Sequence, residues 1–250
     1  MNEIIWVRKS RQEKILEDLI LSSKMVDEDI LFEVKKYYQN NSFHNYLHAL
    51  KTASYVLYLN PDKFNLMEIK SLLLAALYHD ARHKGKVHKL DEFISLDIAL
   101  ESIDKLTKEN KIFGIDGSII RGAIIGTVFI SRGKNSNRYG IILGDFDIGV
   151  LGEDIVNFLY YSFPLAFEFG QSIETFLTET QRGYFKYLMS INRDIIISSE
   201  ARGVLPNSYQ VITEFCRIPL EKKLEMFDYL KNKDITLEEF REFFSKTILS

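Results

Sequence analysis

Hydrophobic residues recur along most of the chain with the 3.6-residue period of an α-helix. In residues 11–23, one stripe is formed by Ile15, Leu16, Leu19 and Ile20, and the charged residues lie opposite. The same pattern predicts helices over about 11–23, 27–39, 42–59, 66–82, 91–106, 153–169, 172–198 and 207–231. An all-α protein is therefore expected.

Three further segments have their own signatures. Residues 117–130 are apolar and β-branched, so a strand is possible, but the absence of alternation over that length favours a buried helix. Residues 131–140 (SRGKNSNRYG) predict a loop. Thr236 and Glu239 have the spacing of a capping box for a final helix, whereas Ser42 is the expected cap of the helix over 42–59.

Composition narrows the class of protein. With 46% hydrophobic and 27% charged residues, the 250-residue chain has the balance of a globular protein. A net charge of −3 gives no broad basic face, so we expect no nucleic-acid partner. We identify no signal peptide and no apolar run of the ~20 residues that cross a bilayer, so we expect a cytoplasmic protein without a membrane partner. The lone Cys216 allows no disulfide framework and is expected to be inert packing.

The histidines are the most informative residues. The chain has five, at positions 44, 48, 79, 83 and 88. His44 and His48 are four apart and share one helix face, as metal ligands or as residues of a helix contact. His79 and Asp80 end an apolar run in which an unpaired carboxylate would be costly, and their side chains can hold one ion from two sides. His83, one turn later, can face the same pocket. A metal site explains the whole group.

An additional oxygen ligand is available in LGDFDIGVLG (143–152). Asp145 and Asp147 are two apart, so they point in nearly opposite directions on a helix or a strand. At most one of them should reach the metal, while the other caps a helix or orients a histidine.

Other polar residues receive simpler interpretations. His88 is expected at the surface or the rim of the site rather than as a ligand. Arg132, Lys134 and Arg138 fit a solvated loop, or alternatively a lid that steers phosphate.

The histidine and aspartate pattern resembles the H…HD…D signature of the HD superfamily of metal-dependent phosphohydrolases. HNYLHA (44–49) and HDARHKG (79–85) are similar to the HNxxHA and HDxxHPG motifs of class I cyclic nucleotide phosphodiesterases. TQRGYFKYL (180–188) resembles the QxGF segment of that family. The resemblance implies one HD-type helical bundle over 1–250, with a motif core at about 42–190 and helical additions at both ends.

The resemblance also implies a two-metal site. His48, His79, Asp80 and Asp147 would hold the first metal, with Asp145 as the fallback for the last. Asp80 would bridge to a second ion held mainly by water. Mixed ligation suits Zn, Fe or Mn at the tight site and Mg or Mn at the second.

For the substrate, the resemblance implies a small-molecule nucleotide. His44 would be the general acid, and His83 would lie near the second ion. Gln181 would hydrogen-bond a purine edge and Tyr184 would stack on the base, unless Tyr184 belongs to the core. The sequence leaves the oligomeric state open.

Two departures from the phosphodiesterase pattern support alternatives. Lys84 replaces the proline of HDxxHPG, and the asparagine expected after the last metal-binding aspartate is absent. DFDIGVLG and DEFIS (91–95) instead resemble segments of small bacterial HD phosphohydrolases, in which Arg182 rather than Gln181 would meet phosphate. The expected activity is hydrolysis of a cyclic nucleotide. The alternatives are a nucleotidase that releases phosphate and a silent nucleotide-binding sensor.

Overall fold

The computed structural model describes residues 6–38, 41–84, 90–128, 134, 137–192 and 194–249, and in these ranges it contains helices and no strand. The prediction of an all-α fold is confirmed. The first seven helices are α1 (Ser10–Ser22), α2 (Glu28–Lys35), α3 (Tyr46–Val56), α4 (Leu66–Tyr78), α5 (Asp91–Lys108), α6 (Gly117–Gly126) and α7 (Arg138–Asp147). They are followed by α8 (Ile155–Ser162), α9 (Pro164–Glu168), α10 (Ile173–Thr175), α11 (Gln181–Ile191), α12 (Ser199–Val204), α13 (Ser208–Arg217), α14 (Leu220–Lys231) and α15 (Leu237–Leu249).

Polar side chains fix where the helices begin. The Asn45 side chain accepts a hydrogen bond from the His48 amide at 3.1 Å, so Asn45, not Ser42, caps α3. The capping box predicted before α15 is confirmed, because the Glu239 carboxylate accepts from the Thr236 amide at 2.8 Å and the Thr236 hydroxyl accepts from the Glu239 amide at 3.3 Å.

The prediction of a loop over 131–140 was wrong for the last residues of that segment. Asn137 accepts hydrogen bonds from the amides of Tyr139 and Gly140, and this cap starts α7 at Arg138. The Arg138 guanidinium donates to Glu200 and lies 4.1 Å from the Phe64 ring centroid, so it is not part of a free loop. Residues 129–133 and 135–136, including Arg132, and the segment 85–89 with His88 lie outside the described residues.

Two long predicted helices are interrupted. The helix expected over 172–198 consists of α10, a π-helical turn (Phe176–Thr180) and α11, and ends at Ile191. The helix expected over 207–231 breaks between α13 and α14, where Pro219 lacks the amide proton that a continuous helix requires. The only cysteine in the sequence, Cys216, is exposed on α13, so the expectation that it is inert packing was wrong.

Helix α4 occupies the centre of the fold. Its six residues from Leu72 to Leu77 are fully buried, and α3, α5, α6 and α7 pack around it. Helices α6 and α7 cross closely, since a Cβ on Gly126 would lie 2.1 Å from the Gly140 Cα. This packing brings the ends of α3, α4 and α7 together. Within the described ranges, no helix has the length and apolar character needed to cross a membrane.

Candidate metal centre

Four side chains converge where α3, α4 and α7 meet. His48 comes from the first turn of α3, His79 and Asp80 directly follow α4, and Asp147 is the last residue of α7. One donor atom from each lies within 4.8 Å of the donor atoms of the other three. His48 and Asp147 are 99 residues apart in sequence, and their Nε2 and Oδ1 atoms are 2.9 Å apart. The folded chain therefore assembles one compact cluster of two imidazoles and two carboxylates.

The orientation of His79 is fixed by the end of its own helix. Its Nδ1 lies 2.7 Å from the Ala76 carbonyl oxygen, which can only accept, so Nδ1 carries a proton and donates it. Nε2 then points into the cluster, 3.1 Å from Asp80 Oδ2 and 3.3 Å from Asp147 Oδ1. A backbone carbonyl that sets the tautomer in this way is typical of metal-binding histidines.

The electrostatics of the cluster favour a cation. Asp80 Oδ2 is buried and has no hydrogen-bond partner among the described residues. Burial alone would raise the pKa of Asp80, but the nearby imidazoles, above all His79, hold it well below its usual value. Burial alone would lower the pKa of His79, but Asp80 and Asp147 raise it well above the ordinary value. The carboxylates therefore require positive charge from protonated histidine or from a bound metal.

The spacing of the donors also fits a metal ion. Bonds of about 2.0–2.2 Å to one ion would put neighbouring donors about 2.9–3.5 Å apart in tetrahedral or octahedral geometry. The donor separations from His48 Nε2 are 2.9 Å to Asp147, 3.3 Å to His79 and 3.4 Å to Asp80. A mixed nitrogen and oxygen set of this kind suits a first-row transition metal. The assignment of these four residues as metal ligands stays a prediction, and the donor separations support it.

Asp147, rather than Asp145, lies beside the histidines. Asp145 is fully buried on another side of α7, where its carboxylate accepts hydrogen bonds from the amides of Ile197 and Ser198 at 3.0 and 2.7 Å. Ser198 is the N-cap of α12, so Asp145 holds the start of that helix against α7. The two aspartates thus have separate roles, as their spacing indicated.

His44 lies beside the cluster and is paired with a residue that the sequence did not reveal. The Glu168 carboxylate at the end of α9 bonds to His44 Nδ1 and also accepts from the amides of Phe43 and His44, at 2.8 and 3.0 Å. Burial by itself would lower the pKa of His44, but Asp80 and Glu168 raise it. Burial likewise tends to raise the pKa of Glu168, but His44 lowers it. Because Nδ1 is engaged, Nε2 is the nitrogen left for a substrate.

His83 stacks on His44 instead of joining the four-residue cluster. The two ring centroids are 3.8 Å apart, and the planes differ by 20°. His83 Nε2 also lies 3.5 Å from an oxygen of the buried Asp91. Burial, and then the charge of His44, lower the pKa of His83. A neutral His83 can therefore support the neighbouring ring without adding charge.

A cavity of about 270 Å³ opens beside these residues. Its lining includes His44, Asp80, His83 and Asp147, and much of the rest is aromatic or aliphatic: Phe43, Ile148, Val150, Leu151, Phe158, Leu165, Phe169 and Phe176. A polar substrate group could therefore meet the charged side chains, and an apolar or aromatic group could meet the apolar ones.

Three residues that line this cavity each have a buried polar atom without a hydrogen-bond partner among the described residues. The atoms are Gln181 Oε1, Ser162 Oγ and Glu92 Oε2. Tyr184 also lines it, one helical turn beyond Gln181, whereas Arg182 is exposed and is not part of the lining. Buried polar atoms without partners in a cavity are candidates for ligand binding.

Sequence reasoning missed Glu92, Ser162 and Glu168. Glu92 lies within DEFIS, a segment whose resemblance to known enzymes could have identified it. Burial raises its pKa, and the neighbouring aspartates raise it further. Ser162 on α8 and Glu168 on α9 carry no local signal, because only the folded structure brings these two helices to the site.

The chain matches no protein-family model, and no curated protein matches it by sequence. Solved structures do share its fold. The phosphodiesterase domain of a rhodopsin phosphodiesterase from Salpingoeca rosetta superposes with a TM-score of 0.54 at 14% identity, over 90% of this chain and 92% of that chain. The phosphodiesterase domain of the RhoPDE fusion protein from the same choanoflagellate gives 0.50 at 14% identity, over 98% and 94%. At such identity, the likeness shows a common all-α fold and not a common activity.

Proposed function

We propose that this protein is a metal-dependent phosphodiesterase that hydrolyses a cyclic nucleotide to a linear monophosphate. The observation that carries the proposal is the His48, His79, Asp80 and Asp147 cluster bordering a mainly apolar cavity, with the His44–Glu168 pair beside it. The fold shared with phosphodiesterase domains agrees with it.

The four-residue cluster would hold the tighter metal, and Asp80 would be shared with a second ion. Bound there, the metals would supply Lewis acidity that lowers the pKa of water toward neutrality and would neutralise charge on the phosphoryl oxygens. The protein's own contribution is to keep the four donors in place. The Ala76 carbonyl does this for His79 by accepting the Nδ1 proton, which directs Nε2 into the cluster.

His44 would donate a proton to the leaving oxygen. Glu168 keeps His44 Nδ1 protonated and the ring oriented, so that a second proton resides on Nε2, where it can be transferred. His83, stacked on the same ring at 3.8 Å, limits its rotation. Such a pair is suited to an alkoxide leaving group, which cannot depart without protonation.

The apolar part of the cavity would take the base. Gln181 and Ser162 offer buried oxygens to the polar edge of a nucleobase, and Tyr184 can stack on its face. We favour this arrangement over phosphate binding by Arg182, because Arg182 is exposed outside the cavity lining.

The test is a product analysis. The purified protein, loaded with Zn²⁺, Mn²⁺ or Mg²⁺, is incubated with cyclic and linear nucleotides, and products are identified by chromatography and phosphorus NMR. A linear monophosphate from a cyclic substrate supports the proposal. Free phosphate from a mononucleotide would point to a nucleotidase, and tight binding without turnover would point to a sensor. An Asp80→Asn variant is the control for contaminating activity.

A further inference from the structure

A second, mostly buried group of polar side chains lies next to the metal centre, and none of its residues lines the cavity. It consists of Lys51 and Tyr55 on α3, Glu153 in the segment after α7, and Tyr161 on α8. Lys51 Nζ donates to Glu153 Oε1 at 2.7 Å and lies 4.9 and 5.1 Å from the ring centroids of Tyr55 and Tyr161. The ammonium is thus enclosed by one carboxylate and two aromatic rings, and Lys51 is only 8% exposed.

This ion pair is poorly explained by stability alone. The side chain of Lys51 is 10% exposed and that of Glu153 is 23% exposed, so the pair is mostly removed from water. The loss of hydration offsets much of the attraction in such a pair, and an apolar pair of similar volume often stabilises a protein equally well. The second oxygen of Glu153, Oε2, and the hydroxyl oxygens of Tyr55 and Tyr161 are buried as well. Both tyrosines interact electrostatically with the Glu153 carboxylate. The Lys51–Glu153 ion pair therefore has a role in positioning the elements that it joins.

The contacts lie along one stripe of α3. His48, Lys51 and Tyr55 follow at helical spacing and share a face of the helix. His48 contacts Asp147, the last residue of α7, and Lys51 contacts Glu153. The Tyr55 ring packs on Gly149, where an added Cβ would come within 2.4 Å of the ring. The chain from the end of α7 through the 3₁₀ turn (Gly149–Gly152) is thus attached to α3 at three points.

We propose that Lys51 and Glu153 are positioning residues for the metal centre. Their ion pair sets the separation of α3 from the segment after α7, and with it the distance between His48 and Asp147. Those two donors belong to elements joined only by tertiary contacts, so their approach depends on what holds the elements together. The inference rests on the proposed function, because it assumes that the four-residue cluster binds metal.

The test measures Co²⁺ binding, by competition with a chelator and by the visible absorption of the bound ion. Lys51→Met and the nearly isosteric Glu153→Gln should each weaken Co²⁺ binding by about 10–100-fold, the usual effect of losing a residue that orients a ligand. The absorption bands should also shift, because the donor arrangement changes. All measurements are made where circular dichroism shows each variant to be folded.

The matched control is Lys9→Met. Lys9 is also buried, at 3% exposure, and its Nζ donates to the carbonyls of Val7, Leu230 and Lys233 at 2.6–2.9 Å. It connects the first described residues to the region of α14 and touches no ligand of the cluster. Lys9→Met should lower the unfolding temperature yet leave Co²⁺ affinity within about twofold, as expected for an independent site.

A charge exchange provides the decisive comparison. Lys51→Glu combined with Glu153→Lys should recover at least about tenfold of the Co²⁺ affinity lost in Lys51→Glu alone, in line with the coupling of paired charges. Equal Co²⁺ affinity in Lys51→Met, Glu153→Gln and Lys9→Met, or no recovery in the exchanged variant, would overturn the positioning role. A wild-type protein that binds no Co²⁺ would instead overturn the metal centre itself, so the two failures are distinguishable.

Discussion

Replacing Glu168 by glutamine is the sharpest test of the proposed chemistry. The carboxylate receives three hydrogen bonds: Oε2 accepts from the amides of Phe43 and His44, at 2.8 and 3.0 Å, and Oε1 binds His44 Nδ1. Glutamine has one acceptor oxygen and one NH₂ group in the same space. If the oxygen stays with the two amides, the NH₂ group faces Nδ1 and donates to it. His44 must then carry its proton on Nε2 and cannot hold a second proton without losing this bond.

The expected fall in kcat/KM follows from the loss of the charge-assisted hydrogen bond between Glu168 and His44. The two hydrogen bonds from the backbone amides survive, so the fold should be retained, while a neutral hydrogen bond replaces the charge-assisted one, which is worth roughly 1.5–3 kcal/mol. A general acid contributes about 10²–10⁴-fold to the rate. We therefore expect kcat/KM for a cyclic nucleotide, whose leaving group is an alkoxide, to fall by about 10²–10⁴-fold.

The assay compares two substrates. An aryl phosphodiester releases a phenolate that needs no proton, so Glu168→Gln should slow its hydrolysis by less than about tenfold. Metal content is measured on the same samples and should equal that of the wild type, because Glu168 is not among the four clustered donors. Equal losses on both substrates would refute the assignment of His44 and Glu168 as the proton-donating pair.

In the metal-free protein, the effect of Glu168→Gln on the unfolding free energy should depend on pH. The folded-state pKa of Glu168 is lowered, so its stabilisation is present above the ordinary value of 4.5 and lost as the pH falls through the folded pKa. The folded-state pKa of His44 is raised, so its stabilisation is present below 6.5 and lost as the pH rises through the raised pKa. The difference in unfolding free energy between wild type and Glu168→Gln should be largest between pH 4.5 and 6.5. A difference that is constant from pH 4 to 9 would contradict the pairing.

Other variants test the remaining site residues. Asp80→Ala should lose bound metal and all hydrolysis, since it removes a donor from the centre of the cluster; full metal content by elemental analysis would exclude Asp80 as a ligand. Tyr184→Ala should raise KM for a nucleotide tenfold or more, from the ~1–3 kcal/mol of a stacked base, and leave a base-free phosphodiester nearly unaffected. Equal harm to both substrates would assign Tyr184 to the core. Arg182→Ala should cost less activity than Gln181→Ala, and the reverse order would favour the phosphate-binding alternative.

Local sequence was sufficient for much of the secondary structure. Apolar periodicity marks the major helices because each must bury one stripe, and the wholly apolar run Leu72–Leu77 of α4 is buried on every side. The capping box at Thr236 and Glu239 could be identified because both partners lie within one helical turn. The start of α7 could not, because a single Asn137 side chain outweighed the loop-like composition around it.

For the candidate site as well, local sequence predicted only which side chains are neighbours on one helix. The sequence grouped His44 with His48 and His79 with Asp80, since spacing on one helix fixes which side chains are neighbours. Between Asp145 and Asp147, spacing alone showed only that they point apart, and the family resemblance chose Asp147.

Tertiary structure decided the contacts that cross the chain. The Glu168 partner of His44 lies 124 residues away, and Lys51 meets Glu153 across 102 residues. Periodicity and capping depend on hydrogen bonds and burial within a few residues, so they cannot predict contacts between distant residues. Both contacts form only in the folded chain, because a buried charge needs a partner and here each partner lies far away in sequence.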